Sequence, residues 1–127
     1  MAKILIVDDD DSCRDASRVL LCGEGFEVQT AADGREALDL ATRFVPDVLL
    51  VDWMLQDHMD GLEVARALRS TAPQMRALVI TGYLSAELEE RIAEFPFARY
   101  LTKPLPPGDL IAAVRKAAQS RSNSTIL

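Results

Sequence analysis

Asp8 and Asp9 open a run of four acids that follows the apolar stretch Ile4-Leu5-Ile6-Val7. Asp52 follows Val48-Leu49-Leu50-Val51, Thr81 follows Leu78-Val79-Ile80, and Lys103 comes just after Phe97 to Leu101. Carboxylates held close together disfavour full ionisation, so an acid cluster calls for a cation. Hard oxygen ligands with room left for water and phosphate suit Mg²⁺, which seldom takes an all-protein cage. The inventory is an acid pair, a lone Asp, a hydroxyl and an ammonium. Phosphoryl transfer uses this set: a carboxylate nucleophile, a metal to neutralise developing charge, and donors for the phosphoryl oxygens.

The elements that carry these residues must bring them together. The three apolar runs suit central strands of a parallel sheet, buried on both faces. Phe26-Glu27-Val28-Gln29-Thr30 alternates apolar and polar, which suits a half-exposed edge, and Phe97 to Leu101 reads as the other edge. Between strands the period turns helical. Asp33-Gly34-Arg35-Glu36 and Asp60-Gly61-Leu62-Glu63 each place an acid three residues before a Glu, the pattern of a capping box. The first helix, from Asp11 or Ser12 with Asp10 as a cap acid, is expected to bury Ala16, Val19 and Leu20. The fourth stacks Leu84, Leu88 and Ile92. The fifth starts near Pro106-Pro107 and buries Leu110, Ile111 and Val114. Five strands alternating with five helices imply an α/β fold, a three-layer sandwich with right-handed crossovers. In a flavodoxin-like (βα)5 sheet of order 2-1-3-4-5, ligands bind at the carboxyl ends of strands one and three, where Asp8, Asp9 and Asp52 fall.

A chain of 127 residues reads as one domain, with 1–120 folded and 121–127 a polar tail expected to fray. It is long enough to bury a core without disulfides or structural metal. Hydrophobic residues make up 49% and charged ones 27%, ordinary for a soluble globular protein. A net charge of −6 argues against nucleic acid as a direct partner. Cys13 and Cys22 are expected on opposite faces of one helix, unable to pair within it, and buried rather than reactive. Free thiols fit a reducing cytoplasm. No apolar run approaches ~20 residues, and no signal-peptide pattern opens the chain, so no membrane role is expected.

The ordered set Ile6-Val7-Asp8-Asp9-Asp10, Val51-Asp52, Ile80-Thr81-Gly82 and Tyr100-Leu101-Thr102-Lys103-Pro104 resembles the receiver domains of two-component response regulators. Chemotaxis regulators of that family are themselves examples of the strand order given above. The resemblance covers Lys3 to about Ala118, and its specificity lies in the order and spacing of the pieces. It implies that Asp52 accepts a phosphoryl group from a histidine kinase or phosphotransfer protein. Asp9 would bind Mg²⁺ directly, Asp8 largely through water, and Met54 through its backbone carbonyl. Thr81 and Lys103 would hold the phosphoryl group, with Gly82 leaving it room. Tyr100 would turn inward as Thr81 moves, and the Lys103–Pro104 bond would be cis. The family implies a regulatory domain rather than an enzyme, signalling to a protein target through the fourth helix, fifth strand and fifth helix, and it allows a homodimer. With no DNA-binding or catalytic output segment in the chain, docking is the expected output.

The sequence departs from the family in places. Gln56 stands where many members have Pro, and the stretch to Gly61 is one residue longer. That spacing, Thr81-Gly82 and Lys103-Pro104-Leu105 resemble receivers attached to hybrid histidine kinases. Pro96-Phe97 replaces a frequent Gly-Ala. Met54 and Tyr83 flank the phosphoryl position, and neither positions a hydrolytic water, so phosphate loss is expected in hours rather than seconds. His58 reads as an exposed loop residue, Asp57 as a loop acid, and Trp53 as packing on the site's rim. The rival reading is a haloacid-dehalogenase-like Mg²⁺ phosphatase using Asp8 and Asp10, with Thr81 as its second motif. It lacks a later acidic motif and leaves Asp52 unexplained.

Overall fold

The computed structural model describes residues 1–55 and 59–123, with 120–123 as backbone only. Among the described residues, strands and helices alternate: β1 (Lys3–Val7), α1 (Asp11–Gly23), β2 (Glu27–Ala31), α2 (Gly34–Leu40), β3 (Val48–Asp52), α3 (Gly61–Arg69), β4 (Arg76–Thr81), α4 (Ala86–Ile92), β5 (Ala98–Thr102) and α5 (Pro107–Asn123). All strand pairs are parallel, in the order β2-β1-β3-β4-β5. This is the flavodoxin-like order expected, with β2 and β5 as edges.

The apolar runs form the middle of the sheet because both their faces are covered. Leu5, Val7, Leu49, Val51, Ala77 and Val79 pack with residues of α2, α3 and α4. Ile4, Ile6, Val48, Leu50 and Leu78 pack with Leu21 of α1 and with Leu110, Val114 and Ala117 of α5. Fully burying one such side chain is worth ~1.5–3 kcal/mol, so the two clusters dominate the stabilisation. Register then aligns the strand ends. Val7 pairs with Ala31 and Val51, Asp52 with Ile80, and Thr81 with Thr102. The residues that follow each strand therefore share one rim of the sheet.

Two expectations about α1 are corrected. Ala16 and Val19 are exposed, Val19 at 56%, while Leu20 is half-buried and Leu21 fully buried. The inward stripe runs through Arg14, Ser17 and Leu21, because Arg14 turns toward the sheet and donates from Nη1 to the Asp8 carbonyl at 2.7 Å. A hydropathy pattern cannot see such a polar anchor. The same rotation leaves Cys13 and Cys22 exposed and unpaired rather than buried. At the other end, residues 121–123 continue α5 instead of belonging to the tail, and 124–127 lie outside the described residues. The edge strands begin one residue later than the patterns suggested, at Glu27 and Ala98.

The helix starts follow the acids. Asp10 caps α1, accepting from Cys13 N at 3.0 Å. Asp60 and Glu63 form the full reciprocal box on α3. On α2 the box is offset: Asp33 accepts from Glu36 N, but the Glu36 carboxylate reaches back to Ala32 N. Leu88 is the fully buried residue of α4 and Ile92 its half-buried last one, while Leu84, expected on this helix, is half-buried just before the Ser85 cap.

Candidate functional site

Asp8, Asp9 and Asp52 each offer a carboxylate oxygen, and these oxygens lie within 4.8 Å of one another. Two strands supply them. Asp8 leaves β1 with its N–H on the Ala31 carbonyl at 3.1 Å, and its Oδ1 accepts from Asp10 N at 2.9 Å. Asp52 is the last residue of β3 and half-buried. Burial pushes its carboxyl above the usual carboxylate range; Lys103 opposes this, and the charges of Asp8 and Asp9 add to it. Asp8 is raised in the same way, first by burial, with its bond from Asp10 N and the charge of Lys103 pulling the other way. Two carboxyls held in unfavourable ionisation beside a third are a suitable binding set for a small hard dication, so the donor chemistry fits Mg²⁺.

Lys103 follows β5, and its N–H donates to the Thr81 carbonyl at 2.8 Å, which ties the ends of β4 and β5 together. The Lys103–Pro104 bond is cis. Asp8, Asp52 and Lys103 line one cavity of about 300 Å³ whose remaining wall is mostly apolar, with Leu50, Ile80 and Leu110 among its lining. Cys13 also lines it. Its thiol is pushed up by desolvation and then by the charges of Asp10 and Asp8, so it stays protonated despite its exposure.

Thr81 is 4% exposed and points into its own turn: Oγ1 donates to the Tyr83 carbonyl at 2.8 Å and accepts from Tyr83 N at 3.2 Å. The hydroxyl is thus already engaged within its own turn. Tyr100 stands outward at 39% exposure, and its strand neighbour Val79 is fully buried. A Cβ on Gly82 would meet no atom within 4 Å. Met54 and Tyr83 are exposed at 69% and 79%. Trp53, expected to pack on the site's rim, lies in the core cluster at 6% exposure.

The phosphatase reading fails at Asp10. Its side chain is taken up as the α1 cap, and the bond from Cys13 N holds its carboxyl below the usual range. Asp52, not Asp10, completes the acid triad with Asp8 and Asp9. Gln56, Asp57 and His58 lie outside the described residues.

Three further contacts shape the site. The Arg14 bond fixes the Asp8 carbonyl. Gly61 closes tightly on the end of β3: its N–H reaches the Trp53 carbonyl at 3.1 Å, and a Cβ there would lie 2.7 Å from the Asp52 carbonyl oxygen. Arg91 of α4 pairs with both carboxylate oxygens of Asp60 and stands 5.3 Å over the Trp53 ring. Gly61 had a signal, its place after a cap acid; the two arginines had none, since each pairs with a partner that only the fold brings near.

A model of the response regulator receiver domain matches residues 4–115. The chain is 42% identical over 115 residues to the response regulator MprA of Mycolicibacterium vanbaalenii, covering 89% of this chain and 48% of that protein. Identity to MprA of Mycobacterium leprae is 41% over 115 residues, covering 89% and 49%. The chain therefore spans about half the length of these curated relatives. Among solved structures, the chemotaxis protein CheY4 of Vibrio cholerae is similar with a TM-score of 0.84 and 34% identity, over 92% of this chain and 98% of that one. A CheY-like receiver domain protein from Methanospirillum hungatei gives 0.89 and 30%, over 98% of both chains.

Proposed function

The chain belongs to the response regulator receiver family of two-component systems, and from that premise we propose that Asp52 is its phosphoacceptor. The observation that carries this is the convergence of Asp8, Asp9 and Asp52 oxygens at the rim that Lys103 also lines. Asp9 and Asp52 would hold Mg²⁺, with Asp8 acting largely through water and Met54 through its carbonyl. The ion would neutralise charge developing on the transferred group.

The chain's own residues do the rest. The Asp52 carboxylate oxygen forms a bond to phosphorus as the donor's P–N bond breaks, and the donor imidazole leaves. Lys103 pairs with a phosphoryl oxygen. Thr81 exchanges its bond to the Tyr83 carbonyl for one to the phosphoryl group. That exchange withdraws the hydroxyl from its turn, and Tyr100 rotates into the space released. A local electrostatic change thereby biases a two-state element.

The donor is a histidine kinase or a phosphotransfer protein. The reader is a protein that docks on the α4-β5-α5 face, where Tyr100 is displayed, and a homodimer through this module is compatible with the reading. The domain is regulatory, transferring phosphate only to and from its own side chain. With a net charge of −6 it makes no direct nucleic-acid contact. Among the described residues no helix is long and apolar enough to cross a membrane, and the free thiols suit the cytoplasm.

The test is incubation with acetyl phosphate and Mg²⁺, followed by intact mass and peptide mapping. Wild type gains one phosphoryl group on Asp52, and Asp52→Asn gains none. Labelling retained in Asp52→Asn, or lost in Asp10→Asn instead, would sink the assignment.

A further inference from the structure

Acids outnumber bases in this chain by 20 to 14, yet a group of cations has no acid beside it. Arg14, Arg18, Arg43, Arg91 and Arg115 each have an ion pair. Among the described residues the other eight cations have none, and three of these, Arg76, Arg99 and Lys116, line one cavity of about 300 Å³ between the sheet and α5.

This cavity lies at the end of the sheet away from Asp52. Arg76 is the first residue of β4 and Thr81 the last, which separates the two by ~16 Å along the strand. Arg99 pairs in register with Leu78. Partners across a parallel ladder point to the same face, and Leu78 belongs to the cluster under α1 and α5, so Arg99 projects toward α5. Lys116 comes from α5 itself, and Ala113 and Ala117 form a small-residue wall that leaves the space open. Phe97 supplies an aromatic wall.

The Nε of Arg76 is buried and has no hydrogen-bond partner among the described residues. A solvated surface arginine keeps its N–H groups in water; a buried N–H without an acceptor carries its desolvation cost uncompensated. Arg69 adds to the local positive field. It stacks 4.2 Å over Phe97, and burial, then the charge of Arg76, hold it below the usual arginine range.

We propose that this cavity binds a small organic anion: one ring bearing a phosphate or carboxylate group, its oxygens on Arg76, Arg99 and Lys116. The volume is at the small end for ligand pockets and matches a single ring with one charged group. Guanidinium groups recognise such oxygens through charge-assisted bonds, and the ring would lie against the alanine wall, with Phe97 closing one edge.

The experiment is an NMR titration of the ¹⁵N-labelled chain at ~0.15 M salt without Mg²⁺, using phenyl phosphate, benzoate and inorganic phosphate. Saturable shifts at the amides of Arg76, Arg99, Lys116 and Ala113 are expected with phenyl phosphate, benzoate or both. The stronger of the two identifies the anionic group. Inorganic phosphate, lacking the ring, should bind about tenfold more weakly. Arg99→Gln and Lys116→Gln change exposed side chains, so both variants should fold, and each should weaken binding about tenfold. Labelling of Asp52 by acetyl phosphate should be unchanged in both variants. The proposal is overturned if neither ring compound gives saturable shifts, if the shifts spread over basic residues elsewhere, or if both variants bind as wild type does.

Discussion

Asp52 is held where its charge is unfavourable, and this has a measurable cost in the metal-free protein. Its folded pKa is raised, as is that of Asp8. A carboxyl with a raised folded pKa binds a proton more tightly folded than unfolded, so its contribution to stability falls as pH rises from about 4 through the raised value. Asp52→Asn removes that loss. In EDTA the variant should melt above wild type at pH 7, and the gap should close toward pH 4. Thermal melts across pH check this, and a constant gap would mean that the charge is not the cause. Asp60 has the opposite sign. Burial alone would raise it, but the bonds from Arg91 and Glu63 N prevail and lower it, so its contribution is present above pH ~4 and is lost as pH falls further. At the neighbouring positions, Met54 carries no acid or amide to orient an attacking water, and Tyr83, 79% exposed, is held out toward solvent. The phosphorylated protein should therefore keep its phosphate for hours in Mg²⁺ at neutral pH, followed by intact mass. Loss in seconds would count against that view of both residues.

At the scale of elements, α3 and α4 are fastened to the end of β3 by contacts that can be removed one at a time. Gly61→Ala would push a methyl into the Asp52 carbonyl oxygen, which needs backbone movement. A cost of ~2 kcal/mol is expected, with slower labelling of Asp52 because the acceptor itself is displaced. Gly82→Ala meets no protein atom, so it should leave stability unchanged and affect only phosphorylation; denaturant titrations of the two variants separate the cases. Arg91 links α4 to Asp60 and Trp53, and α4 begins five residues after Thr81. The helix is thus tied to both sides of the site. Arg91→Met should cost ~1 kcal/mol, between an exposed pair and a buried one. In a double-mutant cycle with Asp60→Ala, most of that cost should appear as coupling.

At the scale of the whole molecule, the acid rim makes a bound cation part of the folding equilibrium. An ion that binds the folded chain and not the unfolded one stabilises it by mass action, ~1.4 kcal/mol at tenfold excess over its Kd. Mg²⁺ should therefore raise the melting temperature of wild type, while Asp9→Asn should lose most of that response. Equal shifts in both would remove Asp9 from the metal set. The opposite end of the sheet carries the unpaired arginines and the lysine, so the acidic chain has two poles of different charge.

The alternation of apolar runs and helical periods was enough to read five strands and five helices, because burial on two faces or one leaves its mark residue by residue. Acids and a hydroxyl placed at the ends of those runs marked Asp8, Asp9, Asp52 and Thr81 without coordinates, since strand ends meet at one rim whenever the sheet is parallel. Lys103 was read from the family resemblance and from its place after the last strand. The tertiary structure decided what local pattern does not encode: the phase of α1, set by Arg14 on the Asp8 carbonyl, which left Cys13, Ala16, Val19 and Cys22 outside. It also decided the resting state of Thr81, whose hydroxyl is engaged by Tyr83, and the tie from Arg91 to Asp60 across 31 positions of sequence. Such bonds depend on how side chains turn and on where separate segments of the chain are brought together, and periodicity carries no record of either.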